Sequence, residues 1–274
     1  MSSSSPRAPY FVMSHHRSGS NFLNDLLQSH PRIECINEPF SMHTKYFRDC
    51  DLEPWTRDEF DPTLLHPSLA PHGSLRSFLL DFRGYLSLST EARVIGFKDT
   101  VLFGKLEWLK AFLPTLKILF LKRDPRSVVS SVLRSNLLGF WNYDRLVPPA
   151  FRKLYPGYVS KVHAADWATL AAEIVAMSVV TRHELARRTV QHFEHLELRL
   201  DDLMREPERR LHDIAEFLGV EANEAQLSFL KQRQAETRGG RFSSFRSRDD
   251  VERGWERHLS AAQVRVIEDV LQCT

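Results

Sequence analysis

The stretch from Tyr10 to Leu27 constrains the chain most, because it passes from a buried strand through a tight polar loop into an amphipathic helix. Tyr10, Phe11, Val12 and Met13 form a short β-compatible apolar run, whereas Phe22, Leu23, Leu26 and Leu27 recur with helical spacing. Between them, Gly19 permits close backbone approach, and Ser18, Ser20 and Asn21 place hydroxyl and amide groups where first-turn N–H donors lack partners. Such a loop cradles an anion, and Arg17 adds a permanent planar cation suited to phosphate or sulfate. An ordinary turn with helix-capping serines has the same pattern, so a second element is needed to decide.

That element is sought along an alternating chain. Strand-like runs at Ile33–Ile36, Val94–Phe97, Ile118–Leu121 and Leu196–Leu200 alternate with helical spacing over Leu75–Leu86, Leu106–Leu113, Trp167–Leu185 and a segment ending near Leu218. A last helix begins near Ser260, and Trp167 is expected in the core. The alternation predicts an α/β fold with a mostly parallel central sheet flanked by helices. Ligands bind at the C-terminal edge of such sheets. Two ionisable groups, Glu38 in Asn37-Glu38-Pro39-Phe40 and Lys98 in Lys98-Asp99-Thr100, arrive at that edge. Residues 41–73 carry Pro54, Pro62, Pro67 and Pro71 without a sustained period, which predicts a long substrate-shaping loop. Residues 138–161 are aromatic and proline-rich, again without a clear period.

At 274 residues, 42% hydrophobic and 26% charged, the chain supports one core. We expect a flexible N-terminus over residues 1–9 and a single domain over 10–274. The formal charge of +2 argues against nucleic acid or an acidic membrane as partner. The arginine- and glycine-bearing stretch 237–248 is short and runs into Asp249, Asp250 and Glu252, unlike an RNA-contacting segment. Cys35, Cys50 and Cys273 are odd in number and lack metal-ligand spacing, so no disulfide framework and no metal site is expected. With no apolar run like a signal peptide's at the start, the expected location is cytoplasmic.

The pattern Gly-x-x-x-x-Gly-Lys-Ser/Thr of nucleotide kinases is missing, since the loop has one glycine and no lysine. Arg17-Ser18-Gly19-Ser20 after a strand instead resembles the 5′-phosphosulfate loop of the PAPS-dependent sulfotransferases, above all the carbohydrate and tyrosylprotein branches. The second element follows at Lys122–Ser131, where Asp124 can cap a helix that has Pro125 at its first position. Arg123 then sits at the junction and Ser131 about two turns along the helix. Arg-x-Pro with a serine eight residues after the arginine is similar to the family's 3′-phosphate site. Asp201-Asp202-Leu203, Pro207-Glu208 and Phe217-Leu218-Gly219 resemble a later family segment, in which Leu200 takes the place of an adenine-contacting tyrosine. Ser247 and Arg248, ahead of Trp255, resemble the late loop that closes over the 3′-phosphate.

The resemblance spans residue 10 to about 260 and implies a P-loop-like sulfotransferase fold that moves a sulfuryl group from PAPS, releases PAP and needs no metal. The nucleotide-binding residues it implies are Arg17, Ser18, Gly19, Ser20, Asn21, Phe22, Arg123, Ser131, Ser247 and Arg248. Arg17 and Lys98 supply catalytic positive charge, and Glu38 is the implied base, because Glu eight residues after the histidine of His30-Pro31 matches the tyrosylprotein branch. Glu38 could instead orient substrate or pair with Arg17, leaving His15, His16 and His43 as bases. Thr100 stands where small-molecule sulfotransferases carry a histidine. The implied acceptor is a hydroxyl of a carbohydrate or small natural product, and the oligomeric state stays open. Two rivals are a metal-dependent phosphotransferase using Asp99 or Asp124 and an inactive nucleotide-binding interaction protein.

Overall fold

Strands β1 (Tyr10–Ser14), β2 (Ile33–Asn37), β3 (Val94–Asp99), β4 (Lys117–Lys122) and β5 (His195–Arg199) form a parallel sheet in the order β2-β3-β1-β4-β5. The computed structural model describes residues 7–40, 73–137, 143–163, 165–235 and 247–273. The central strands β1 and β4 are continuous apolar runs because helices cover both sheet faces, whereas edge strand β5 is largely exposed. Tyr10 pairs with Gly96 across the ladder, and a Cβ on Gly96 would meet the Tyr10 ring at 2.4 Å, so glycine is required there. Side chains alternate across β1: Phe11 and Met13 join a core with Phe40, Phe82, Phe97 and Phe120, while Tyr10 and Val12 join Leu23, Leu26, Leu203 and Leu211 on the other face.

Helices α1 (Ser20–Gln28), α2 (Gly73–Leu86), α3 (Leu106–Phe112), α4 (Pro125–Arg134), α5 (Tyr143–Leu154) and α6 (Trp167–Thr189) are followed by α7 (Leu200–Arg205), α8 (Pro207–Leu218), α9 (Glu224–Ala235), α10 (Arg248–Glu252) and α11 (Ala261–Leu271). A third core joins α4, α5, α6 and α11 through Val129, Phe151, Val175, Val179 and Ile267. From β3 the chain crosses β1 to reach β4, so β1 lies at the point where the order reverses and a crevice opens beyond its C-terminal end.

Several expectations need correcting. Helix α5 forms in the segment without a visible period, despite Pro148 and Pro149 inside it. Burial of Val147, Ala150 and Phe151 against α6 outweighs the two missing backbone donors. Trp167 is 55% exposed rather than in the core, because it is the first residue of α6, just after the capping Asp166, and the buried stripe begins at Thr169. The last strand stops at Arg199, and Leu200 opens α7. Arg7, ahead of β1, is tied to the rest of the chain: its N–H donates to Ser89 O at 3.1 Å and its guanidinium to Leu218 O at 3.1 Å, at the C-terminal end of α8. The expected substrate-shaping loop lies outside the described residues except for Gly73, which opens α2. Among the described residues no helix is long and apolar enough to cross a membrane.

Candidate active site

Beyond Ser14 the chain leaves β1 through His15, His16, Arg17 and Ser18 and enters α1 at Ser20. Ser18 N–H donates to His15 O at 3.1 Å, closing a turn in which Arg17 (φ +66°) and Gly19 (φ +89°) both take left-handed backbone conformations. Gly19 is the residue before the helix and has no side chain, so the first-turn N–H groups of α1 have no side-chain cap. The Ser18 hydroxyl is buried and has no hydrogen-bond partner among the described residues. A buried unpaired hydroxyl beside uncapped helix N–H groups fits an oxyanion ligand. A Cβ on Gly19 would meet Leu200 at 2.7 Å, so the residue in the tyrosine position packs against the loop.

The second motif meets the first directly. Asp124 caps α4, accepting from Arg126 N at 2.8 Å. Arg17 Nε donates to Ser131 Oγ at 3.0 Å, and Arg123 Nη1 donates to Arg17 O at 3.0 Å. Arg123 Nη2 also reaches Val251 O in α10 at 3.3 Å, and the same carbonyl accepts from Ser127 Oγ at 3.1 Å. The late segment thus touches this corner through a backbone carbonyl. Its two named side chains are engaged locally: Ser247 Oγ accepts from Asp250 N at 3.1 Å as the α10 cap, and Arg248 pairs with Glu252 at 3.0 Å.

On the other side of β1, Glu38 follows β2 and Lys98 lies in β3. Their carboxylate and ammonium pair at 2.6 Å, with the Lys98 side chain 0% and the Glu38 side chain 34% exposed. Glu38 is therefore paired with Lys98, not with Arg17. Its backbone is left-handed (φ +48°), and its N–H donates to Lys98 O at 2.7 Å. Asp99 is buried next to this pair. Its Oδ2 accepts from Phe40 N at 3.0 Å, and its Oδ1 accepts from Thr100 N at 2.7 Å and Val101 N at 3.3 Å. Burial, then the Glu38 charge, push the Asp99 carboxyl up to about 7.

The histidines are less well placed for proton transfer. His15 is buried between β1 and α6, with Nε2 3.1 Å from both Ser178 Oγ and Arg182 Nη1, and Nδ1 2.7 Å from His16 O. An arginine N–H can only donate, so Nε2 accepts and Nδ1 carries the proton. Burial, then Arg182, hold His15 well below the usual imidazole range. His16 is shifted the same way by burial and by Arg182, Lys98 and Arg17. His43 lies outside the described residues. His30 is structural, bonded to Glu221 O at 2.9 Å and accepting from Arg32 N at 3.0 Å.

Two contributors escape a reading by motif. Arg182 and Ser178 brace the loop from α6, and their only trace is a pair of polar residues four apart in an apolar helix. Asp99 was visible as one half of Lys98-Asp99, but its contact with Phe40 depends on the β2–β3 register, which sets Asn37 opposite Lys98. The whole constellation gathers helix N–H donors, Arg17, Arg123 and Lys98 around the end of β1, with one partly exposed carboxylate, Glu38, at the rim.

Comparison with known proteins shows the family and the fold. A sulfotransferase family model matches residues 9–224. Among solved structures, the sulfotransferase domain of the Synechococcus PCC 7002 olefin synthase shares 20% identity at a TM-score of 0.52, covering 98% of this chain and 96% of that one. The sulfotransferase domain from the curacin biosynthetic pathway gives 17% identity and 0.52, over 98% and 99%. A mouse sulfotransferase complexed with PAP gives 13% and 0.52, over 98% and 85%. At these identities the likeness shows the fold. No curated protein matches. Because the family match takes in all five strands and both anion-site motifs, the chain belongs to the sulfotransferase family, enzymes that use PAPS as sulfuryl donor.

Proposed function

We propose that the enzyme sulfates a hydroxyl of a small natural product or carbohydrate, with Glu38 as base and PAPS held between the two motifs. The observation that carries this reading is the Glu38–Lys98 pair at the C-terminal edge of the sheet, across β1 from Arg123 and beside the Arg17 loop. PAPS, when bound, supplies the sulfuryl group and a phosphate leaving group. The unpaired Ser18 hydroxyl, the uncapped N–H groups of Ser20, Asn21 and Phe22, and Arg17 hold its 5′ end, while Arg123 and Ser131 hold the 3′-phosphate. These donors are fixed before the reaction, so they stabilise growing negative charge without rearranging. Lys98 holds Oε1 of Glu38, leaving Oε2 to accept the proton of the acceptor hydroxyl.

The neighbours from an olefin synthase and from the curacin pathway favour a small natural-product acceptor over a sugar. The carboxylates a magnesium-dependent phosphotransferase would need are already engaged: Asp99 by three backbone N–H groups and Asp124 by Arg126. The test is mass spectrometry of natural-product and glycan pools incubated with PAPS. The proposal expects an acceptor gaining one sulfuryl group with matching PAP release. Sulfation of neither pool, by a protein that binds PAP, would overturn the acceptor class.

A further inference from the structure

We infer that Asp99 is a positioning residue for the transfer, holding the Glu38–Phe40 turn so that the Glu38 carboxylate stays at Lys98. This rests on Glu38 being the base. Glu38 has a left-handed backbone (φ +48°) that a non-glycine residue adopts only when its surroundings impose it. Pro39 has no N–H, so Glu38, Pro39 and Phe40 offer two backbone donors between them. Both are taken by the same dipeptide: Glu38 N by Lys98 O at 2.7 Å, and Phe40 N by Asp99 Oδ2 at 3.0 Å.

Asp99 cannot turn away from that duty. Its second oxygen is anchored by Thr100 N and Val101 N on its own side, so the carboxylate bridges two backbones rather than following one. The Phe40 ring is fixed from the far side, with ring centroids 5.5 Å from Phe82 and 5.9 Å from Phe97. A clamp at each end leaves the turn one conformation, and in that conformation Glu38 meets the ammonium of Lys98.

The arrangement places a second carboxylate beside the base. The charged groups facing Asp99 are Glu38 from the end of β2 and Lys98 on β3, and the ionised form is the one that accepts from Phe40, Thr100 and Val101 together. Burial and the Glu38 charge oppose that ionisation, so the clamp is fully set only above about pH 7.

The test is a double-mutant cycle read as kcat and as KM for PAPS, using an acceptor from the mass-spectrometric screen: wild type, Asp99→Asn, Glu38→Gln and the double variant. Asp99→Asn keeps the shape, but its amide cannot accept from both sides. Its kcat should fall about 10- to 100-fold, with KM for PAPS unchanged, and the double variant should be no slower than Glu38→Gln alone. An unchanged kcat in Asp99→Asn, or losses that multiply in the double variant, would overturn the inference while leaving Glu38 as base. Near-wild-type kcat in Glu38→Gln would overturn the base assignment and this inference with it. A reading on the wild-type protein needs neither turnover nor a folded variant: the Phe40 amide proton, followed by NMR with labelled phenylalanine, should shift with one midpoint near pH 7. A Phe40 amide whose shift follows no titration of Asp99 at any pH at which the protein stays folded would refute the contact and the clamp with it.

Discussion

Replacing Glu38 by glutamine separates chemistry from architecture, since the amide keeps size and hydrogen bonding but cannot take up a proton at neutral pH. The structure sets both magnitudes. For turnover, loss of a positioned base is expected to lower kcat roughly 10²- to 10⁴-fold, about 3–5 kcal/mol of barrier. For stability, Lys98 is fully buried and loses its anionic partner, while Glu38 is one-third exposed. Breaking a fully buried pair costs about 3–5 kcal/mol and an exposed one at most about 1. With the glutamine oxygen still accepting from Lys98, about 1–3 kcal/mol is expected, a drop in Tm of roughly 2–10 °C. PAP affinity should hold, because the nucleotide contacts are assigned to the loop, Arg123 and Ser131. The assay is kcat, PAP affinity by calorimetry and thermal midpoint on this single variant. A lowered Tm with near-wild-type kcat per folded molecule would refute the base assignment and reduce Glu38 to a partner for Lys98. PAP affinity falling together with kcat would mean that the pair supports the phosphate loop.

Three further predictions follow from particular contacts. Gly19→Ala should destabilise the fold and weaken PAP binding, because it strains a backbone at φ +89° and drives a methyl to 2.7 Å from Leu200; Leu200→Ala in the same chain should restore part of the stability but not all, and full restoration would refute the backbone component. Asp99 is raised to about 7 in the folded protein against about 4 unfolded, so the folded state binds its proton more tightly and stability falls as pH rises from about 4 to 7. Denaturation at several pH values should therefore show Asp99→Asn gaining about 4 kcal/mol relative to wild type across that window, and a pH-independent difference would contradict it. EDTA should leave turnover unchanged, since Arg17 and Lys98 supply the positive charge; a rate abolished by chelator and restored by Mg²⁺ would refute metal-independent transfer.

What could be read from the sequence and what could not divide along physical lines. The β1–α1 passage was legible because apolar periodicity changes from a run to helical spacing across a short polar loop, although the loop alone did not separate an anion cradle from a capped turn. Arg123 and Ser131 were legible because Asp124 and Pro125 fix where α4 starts. Glu38 and Lys98 both followed from strands ending in ionisable residues, although their pairing emerged only from the β2–β3 register. Long-range contacts were out of reach: nothing local indicates that Arg182 on α6 supports His15, 167 residues away, or that Arg123 holds the Arg17 carbonyl. Helix α5 was hidden by its prolines, whose local preference is overridden by packing on α6. Ser247 and Arg248 were matched to a family pattern, but their cap and ion pair within α10 depend on where that helix starts, which no apolar period marks.

The proposed nucleotide site has the Arg17 loop at one end and the Arg123–Ser131 corner at the other, joined by the Arg17–Ser131 and Arg123–Arg17 hydrogen bonds. Calorimetric titration of PAP and of ADP into wild type and Arg123→Ala tests it most directly, because ADP lacks the 3′-phosphate. The wild type should bind PAP tightly and ADP weakly, and Arg123→Ala should lose about 1.5–3 kcal/mol for PAP with little change for ADP. Equal affinity for the two nucleotides, or PAP binding untouched in Arg123→Ala, would contradict it.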